Sequence, residues 1–257
     1  MPRPTRRSLQ IGACVVGLVL VVAASVSWPV TGRTLISRLG LAMDTDRARA
    51  AERRVRVELE AALARMGAAW GAPVVLRIFK QENELEAWAA NGRGDYRLLK
   101  TWPICRWSGL PGPKQREGDG QAPEGFYEVT ADALNPRSTY HLAFNLGFPN
   151  AFDQAHGRTG TFLMVHGSCV SIGCYAMGDA GIDEIYTLVA AALAHGQSSV
   201  PVHAFPFRFE DGWRAAHRDN PWMDFWTNLA EGDALFKRDL RSPSVTVRDR
   251  RYVFTAR

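Results

Sequence analysis

Val165-His166-Gly167-Ser168-Cys169-Val170-Ser171-Ile172-Gly173-Cys174-Tyr175 gathers reactive residue types just past an apolar run, Thr161 to Val165, that reads as a buried strand. A helical pattern follows it. A thiol at Cys174, close ahead of a helix N-terminus, is expected to feel the positive end of the helix dipole, which favours thiolate. His166 stands eight residues earlier, at the strand end. A short return loop would bring its imidazole within reach of the thiol as a general base. Gly173 allows close backbone approach, so the amides around Gly173 and Cys174 are candidates for an oxyanion hole. From the residues alone, other readings stay open. The Cys–His pair could be structural. His166, Cys169 and Cys174 could supply three metal ligands, with His156 or His141 as a fourth, although no second compact Cys/His pair accompanies them.

Outward from this stretch, the pattern is rich in strands. Val74 to Phe79, Leu85 to Trp88, Tyr96 to Cys105, Phe126 to Val129 and Tyr140 to Phe148 alternate or are β-branched, with turns at Gln81-Glu82-Asn83 and Asn91 to Gly94. Two long loops interrupt them, Ser108 to Gly125 and Pro149 to Gly160, and loops of that length are usually functional or mobile. Ile182, Ile185, Leu188, Val189 and Leu193 predict a helix with Asp179 as its cap and Gly196 as its stop. Val200 to Phe209 reads as a strand, Pro221 to Leu240 as a helix with Trp222, Phe225, Trp226 and Leu229 on one face, and Ser244 to Phe254 as a closing strand. Toward the N-terminus, Thr45 to Met66 carries Val55, Leu59, Leu63 and Met66 at helical spacing. The expected fold is α+β: a linker helix over 31–71, a β-rich domain over 72–210, and a helical extension with a terminal strand over 211–257.

Residues 1–30 have a different composition. Arg3, Arg6 and Arg7 precede the apolar run Ile11 to Val30, the pattern of a secretory signal or a single membrane anchor. The formal charge of +5 falls to +2 without this segment, and no basic stripe points to nucleic acid. Export would place the rest of the chain in an oxidising compartment. There are four cysteines, of which Cys14 lies in the apolar segment. If one of the remaining three is kept free as a nucleophile, Cys105 and Cys169 are left as a candidate disulfide. Two buried thiols, or an oxidised Cys169–Cys174 form, are the rivals.

Val165-His166-Gly167 followed by Ser171-Ile172-Gly173-Cys174 resembles the signature of the L,D-transpeptidase catalytic-domain family (YkuD type), in which a strand-borne His-Gly precedes a Ser/Thr-His-Gly-Cys motif. Ala122-Pro123-Glu124-Gly125-Phe126-Tyr127 is similar to the family's approach to its site. Further blocks, in order, resemble its YafK/DpaA branch: Tyr96 to Thr101, Gly147 to Ala151, Ala155-His156-Gly157-Arg158, Gly173 to Met177 and Phe205 to Arg208. The resemblance implies a mixed-sheet, sandwich or barrel-like catalytic domain. It also implies Cys174 as the acyl-accepting nucleophile and His166 as its base, with Gly167, Ser171 and Gly173 in support and no cofactor. The implied substrate is the peptidoglycan stem peptide, attacked at the L-centre carbonyl of diaminopimelate in the periplasm, with membrane contact only through the N-terminal segment. Ile172 stands where the motif has its second histidine, and Ala176 where many members carry an arginine. Both departures fit the branch, which implies an amidase that detaches the major outer-membrane lipoprotein from peptidoglycan. Cross-linking of stem peptides is the alternative chemistry, and a catalytically silent wall-binding module the alternative of another class.

Overall fold

Strand β1 (Val74–Phe79) is buried along its whole length, so its two faces must serve two cores. Alternation does this. Val74, Leu76 and Ile78 join one apolar cluster, and Phe79 joins another. In the computed structural model, which describes residues 45–256, β1 pairs antiparallel with β2 (Glu84–Ala90) and parallel with β9 (Val200–Phe205). Adding β3 (Tyr96–Pro103) and β4 (Gly125–Val129) gives a five-stranded mixed sheet of order β3-β2-β1-β9-β4. The expected signal or anchor at 1–30 lies outside the described residues.

One face of this sheet is covered by two helices and a smaller sheet. Helix α1 (Asp46–Arg65) starts at Thr45, whose side chain accepts a hydrogen bond from Ala48 N, and it buries Ala48, Ala51, Leu59 and Leu63. Arg54 ties it to Asp183 of α3 (Gly178–Ala194) at 2.6 Å, so the helix expected as a linker is docked on the domain. The smaller sheet has the order β5-β6-β7-β8, from Leu134–Asn135, Ala143–Asn145, Met164–His166 and Tyr175–Ala176.

The other face is covered by the C-terminal segment. After the short α4 (Trp213–Ala216), helix α5 (Met223–Asp239) buries Phe225, Trp226, Leu229 and Phe236. The guanidinium of Arg77, on β1, is ion-paired with Asp233 of α5, has Glu86 at 3.8 Å, and lies 4.5 Å from the centre of the Phe236 ring.

The α+β class is as expected, and several boundaries differ. The strand expected over Tyr140 to Phe148 shrinks to β6, because His141 (φ 65°) and Gly147 (φ 80°) turn the backbone. The loop Pro149 to Gly160 contains helix α2 (Ala151–Ala155), started by a reciprocal capping box between Asn150 and Asp153. The strand expected from Thr161 starts at Met164, because Phe162 has φ 55°. The one expected to Phe209 stops at Phe205. The single closing strand is a hairpin, β10 (Ser244–Arg248) and β11 (Arg251–Thr255), turning on Asp249 and Arg250 at φ 49° and 59°.

Asp233→Ala would leave the buried Arg77 guanidinium facing only the more distant Glu86. The expected loss is about 3 kcal/mol, the scale for stripping one partner from a buried pair, read as a lower urea midpoint.

Candidate active site

Strands β7 and β8 are parallel neighbours, with Val165 opposite Tyr175 and His166 opposite Ala176. Parallel pairs are usually joined by a dozen or more residues, yet here residues 167–174 make the return. The loop is held at almost every step. Gly167 N donates to Tyr140 O and Leu142 O, both at 3.0 Å. A Cβ at Gly167 would lie 2.8 Å from Asp179 Oδ1 and from Tyr140 O, so no larger residue fits there. Ser168 N donates to Asp179 Oδ1 at 2.8 Å. Asp179 is therefore not the cap of α3, a position held by Met177, but a tether in its first turn. Cys169 is disulfide-bonded to Cys105, with Cα atoms 5.4 Å apart.

The last turn of the loop is organised by two hydroxyls. Ser171 Oγ donates to Cys174 O at 2.7 Å and lies 3.1 Å from Ser108 Oγ. Gly173 N donates to Ser108 Oγ at 2.6 Å. Gly173 has φ 114°, and a Cβ there would meet Leu163 Cδ1 at 3.1 Å. The Gly173 amide, expected as an oxyanion donor, is thus committed to Ser108 in this structure. Ser108 itself carries no motif, since its partner lies 65 residues away in sequence.

The thiol of Cys174 is half-buried and free. Its Sγ accepts from Met164 N and donates to Phe162 O, each at 3.5 Å. Helix α3 starts four residues further on, behind β8, so Cys174 does not sit on the helix N-terminus as expected. Burial pushes the thiol above its ordinary value, while the Met164 amide and the Lys114 ammonium oppose that rise. Lys114 is itself buried and paired with Asp119 at 2.6 Å. Asp119 is held down to about 2: four hydrogen bonds, from the backbone of Arg116, Gln115 and Gln121 and from the Lys114 side chain, outweigh its desolvation.

His166 is 2% exposed. Its Nδ1 lies 2.6 Å from Gly167 O, which can only accept, so Nδ1 carries the proton and Nε2 is the basic nitrogen. The Tyr140 ring packs 4.9 Å from the imidazole. Burial pushes His166 below its ordinary value, against the hydrogen bond to Gly167. Both members of the pair are therefore neutral at rest.

The metal reading fails on its donors. Cys169 is oxidised, His141 Nε2 is 2.6 Å from Asp183 Oδ1, and His156 Nε2 is 2.8 Å from Arg250 O. Ile172 is 85% exposed on the rim, whereas Ala176 is fully buried and exchanges two backbone hydrogen bonds with Arg106. Met164 and Phe162, whose backbones hold the sulfur, line a cavity of about 550 Å3 with Thr130, Asp132, Asn135 and Asn145.

No family model matches the chain. YafK of Escherichia coli (strain K12), named provisionally as an L,D-transpeptidase, is 48% identical over 183 residues, covering 71% of this chain and 74% of that protein. The protein of the same name from Escherichia coli O157:H7 matches over the same span. Among solved structures, the helical cell shape determining protein Pgp2 of Campylobacter jejuni overlaps with a TM-score of 0.43 at 19% identity, over 74% of this chain and 80% of that one. L,D-transpeptidase 1 of Mycobacterium tuberculosis overlaps with a TM-score of 0.29 at 12% identity, over 52% and 62%.

Two outcomes test how the loop is held. Replacing both Cys105 and Cys169 by alanine should lower stability by about 2–4 kcal/mol in denaturant titrations. Ser108→Ala should leave Gly173 N only the longer bond to Ser171 Oγ at 3.3 Å, at a cost of about 1 kcal/mol, and hydrogen exchange at the Gly173 amide should quicken.

Proposed function

This chain belongs to the L,D-transpeptidase family, and on that premise we propose that it is an exported cysteine enzyme of the cell envelope acting on peptidoglycan stem peptides, with Cys174 as nucleophile and His166 as general base. The observation that carries the proposal is the free, half-buried thiol of Cys174 on a return loop whose other end is the His166 strand. Residues 1–30 act as the export signal or anchor, and the Cys105–Cys169 bridge suits an oxidising compartment.

His166 Nε2 takes the Sγ proton as the sulfur attacks the L-centre carbonyl of diaminopimelate. The Met164 amide and the buried Lys114 ammonium favour the anionic sulfur as it forms. The tetrahedral intermediate collapses, the C–N bond breaks, and the imidazolium returns its proton to the departing amine. A thioester remains on Cys174. Water, deprotonated by His166, then attacks the thioester carbonyl and expels the thiolate, which recovers its proton. The departing amine is the lysine of a peptidoglycan-linked outer-membrane lipoprotein, so the net reaction is amide hydrolysis. Ile172 and Ala176, in place of a histidine and an arginine of the wider family, support hydrolysis over transfer. The name of the YafK relatives favours a second reading, in which an amine resolves the thioester and a cross-link or lipoprotein attachment results.

Incubation with lipoprotein-linked muropeptides and, separately, tetrapeptide muropeptides, with products identified by mass, separates the two. Released lipoprotein is expected to exceed new diaminopimelate–diaminopimelate bridges; the opposite ranking would overturn the amidase reading. Cys174→Ala should abolish turnover, and retained activity would sink the mechanism. His166→Ala should lose about 10²-fold or more. The pH profile follows from the lowered His166 pKa: the base is protonated only in acid, so kcat/KM should rise with pH through a limb below 6.5, the ordinary histidine value.

A further inference from the structure

The block Ala155-His156-Gly157-Arg158 has no part in the chemistry above, yet it builds one wall of a second cavity, of about 340 Å3, between α2, α5 and the β10–β11 turn. Arg158 is 6% exposed. Its guanidinium carbon lies 5.1 Å and 5.0 Å from the ring centres of Phe152 and Phe225. Nη1 donates to Asp153 Oδ1 at 2.8 Å, and Nε has no hydrogen-bond partner among the described residues. A buried guanidinium nitrogen without an acceptor is costly unless something supplies one.

The opposite wall is presented at the expense of backbone strain. Asp249 and Arg250 both adopt left-handed φ, where hairpin turns ordinarily use asparagine and glycine. That turn brings Arg250 to His156: His156 Nε2–H donates to Arg250 O at 2.8 Å, and Arg250 Nη2 lies 3.4 Å from His156 Nδ1. Arg251 also lines the cavity and reaches Glu231 at 3.2 Å. Against three guanidinium groups the lining holds one acid, Asp224.

We propose that this cavity is a subsite for a carboxylate on the peptide part of the substrate. Its size suits an amino-acid unit, since ligand pockets start at about 300 Å3. Flat aromatic walls and planar guanidinium forks match a carboxylate, and Asp224 opposes the double charge that phosphate concentrates on one group and that a dicarboxylate divides between two ends. A short stretch of chain joins the wall of the subsite to the backbone that holds the thiol. Arg158 precedes Phe162, whose carbonyl accepts from Cys174 Sγ, by four residues, a span of at most about 14 Å. The choice of ligand rests on the function proposed above; the cavity's preference for carboxylate does not.

The test uses the full chain carrying Cys174→Ala, so no turnover is needed and failure of the amidase reading leaves it intact. Calorimetric titrations with glutarate, inorganic phosphate and the tetrapeptide muropeptide probe the cavity. Glutarate and the tetrapeptide should bind, and both should weaken about tenfold or more in Arg250→Gln, as for loss of a charge-assisted hydrogen bond. Arg250→Lys, which keeps the charge and loses the fork, should fall between. Absence of glutarate binding, tighter binding of phosphate than glutarate, or affinities unchanged in Arg250→Gln would each overturn the carboxylate subsite. Binding of glutarate without the tetrapeptide would overturn its link to the substrate.

Discussion

The return from β7 to β8 is the constraint on which the candidate site depends. Eight loop residues must carry the chain back to a parallel neighbour, far fewer than such a crossover normally uses. Without fixed points the loop would have many conformations, and His166 and Cys174 would have no set relation. The fixed points come from distant parts of the chain: Ser108 and Cys105 from the stretch after β3, Tyr140 and Leu142 from the approach to β6, and Asp179 from α3. The disulfide and the hydroxyl pair act at different places in the loop, at Cys169 and at Ser171 to Cys174. Its middle and its end are therefore held separately.

The same dependence reaches the C-terminal segment. Lys80 and Glu124 form a fully buried ion pair at 2.9 Å. Burial pulls the Lys80 ammonium down, and Glu124 holds it up. Lys80 also donates to Gly112 O at 2.8 Å, while Glu124 accepts from Gly112 N at 2.6 Å and from Trp226 Nε1 of α5 at 2.9 Å. One buried cluster thus joins the central sheet, the loop that carries Ser108 and Lys114, and α5. Removing either charge would strand the other in a dry interior, so the long loop is anchored at Gly112 to the core beneath it.

Electrostatically, the site is built of two neutral partners. The half-buried thiol is raised and the buried imidazole is lowered, each by desolvation of its charged form. The Met164 amide and the Lys114 ammonium act on the sulfur, and Gly167 O accepts from the imidazole Nδ1.

Local patterns made much of this legible. The four-residue spacing of Leu59 and Leu63 and the apolar face of Ile182 to Leu193 mark α1 and α3, because helical periodicity is contained in neighbouring residues. The reactive types at His166 and Cys174, the three cysteines outside the N-terminal apolar run and the resemblance of the surrounding blocks pointed to one loop and one family. Short elements were not legible. Helix α2 has five residues and is started by an Asn150–Asp153 capping box, and the β10–β11 turn on Asp249 and Arg250 has no glycine to announce it. Only the tertiary structure decided that Ser108 takes the Gly173 amide, that α3 begins behind β8 instead of at Cys174, and that Arg158 meets Arg250 across a cavity. The physical reason is common to the first and the last. A hydrogen bond or charge contact depends on where two backbones meet in space, and for partners 65 or 92 residues apart no local pattern encodes that meeting.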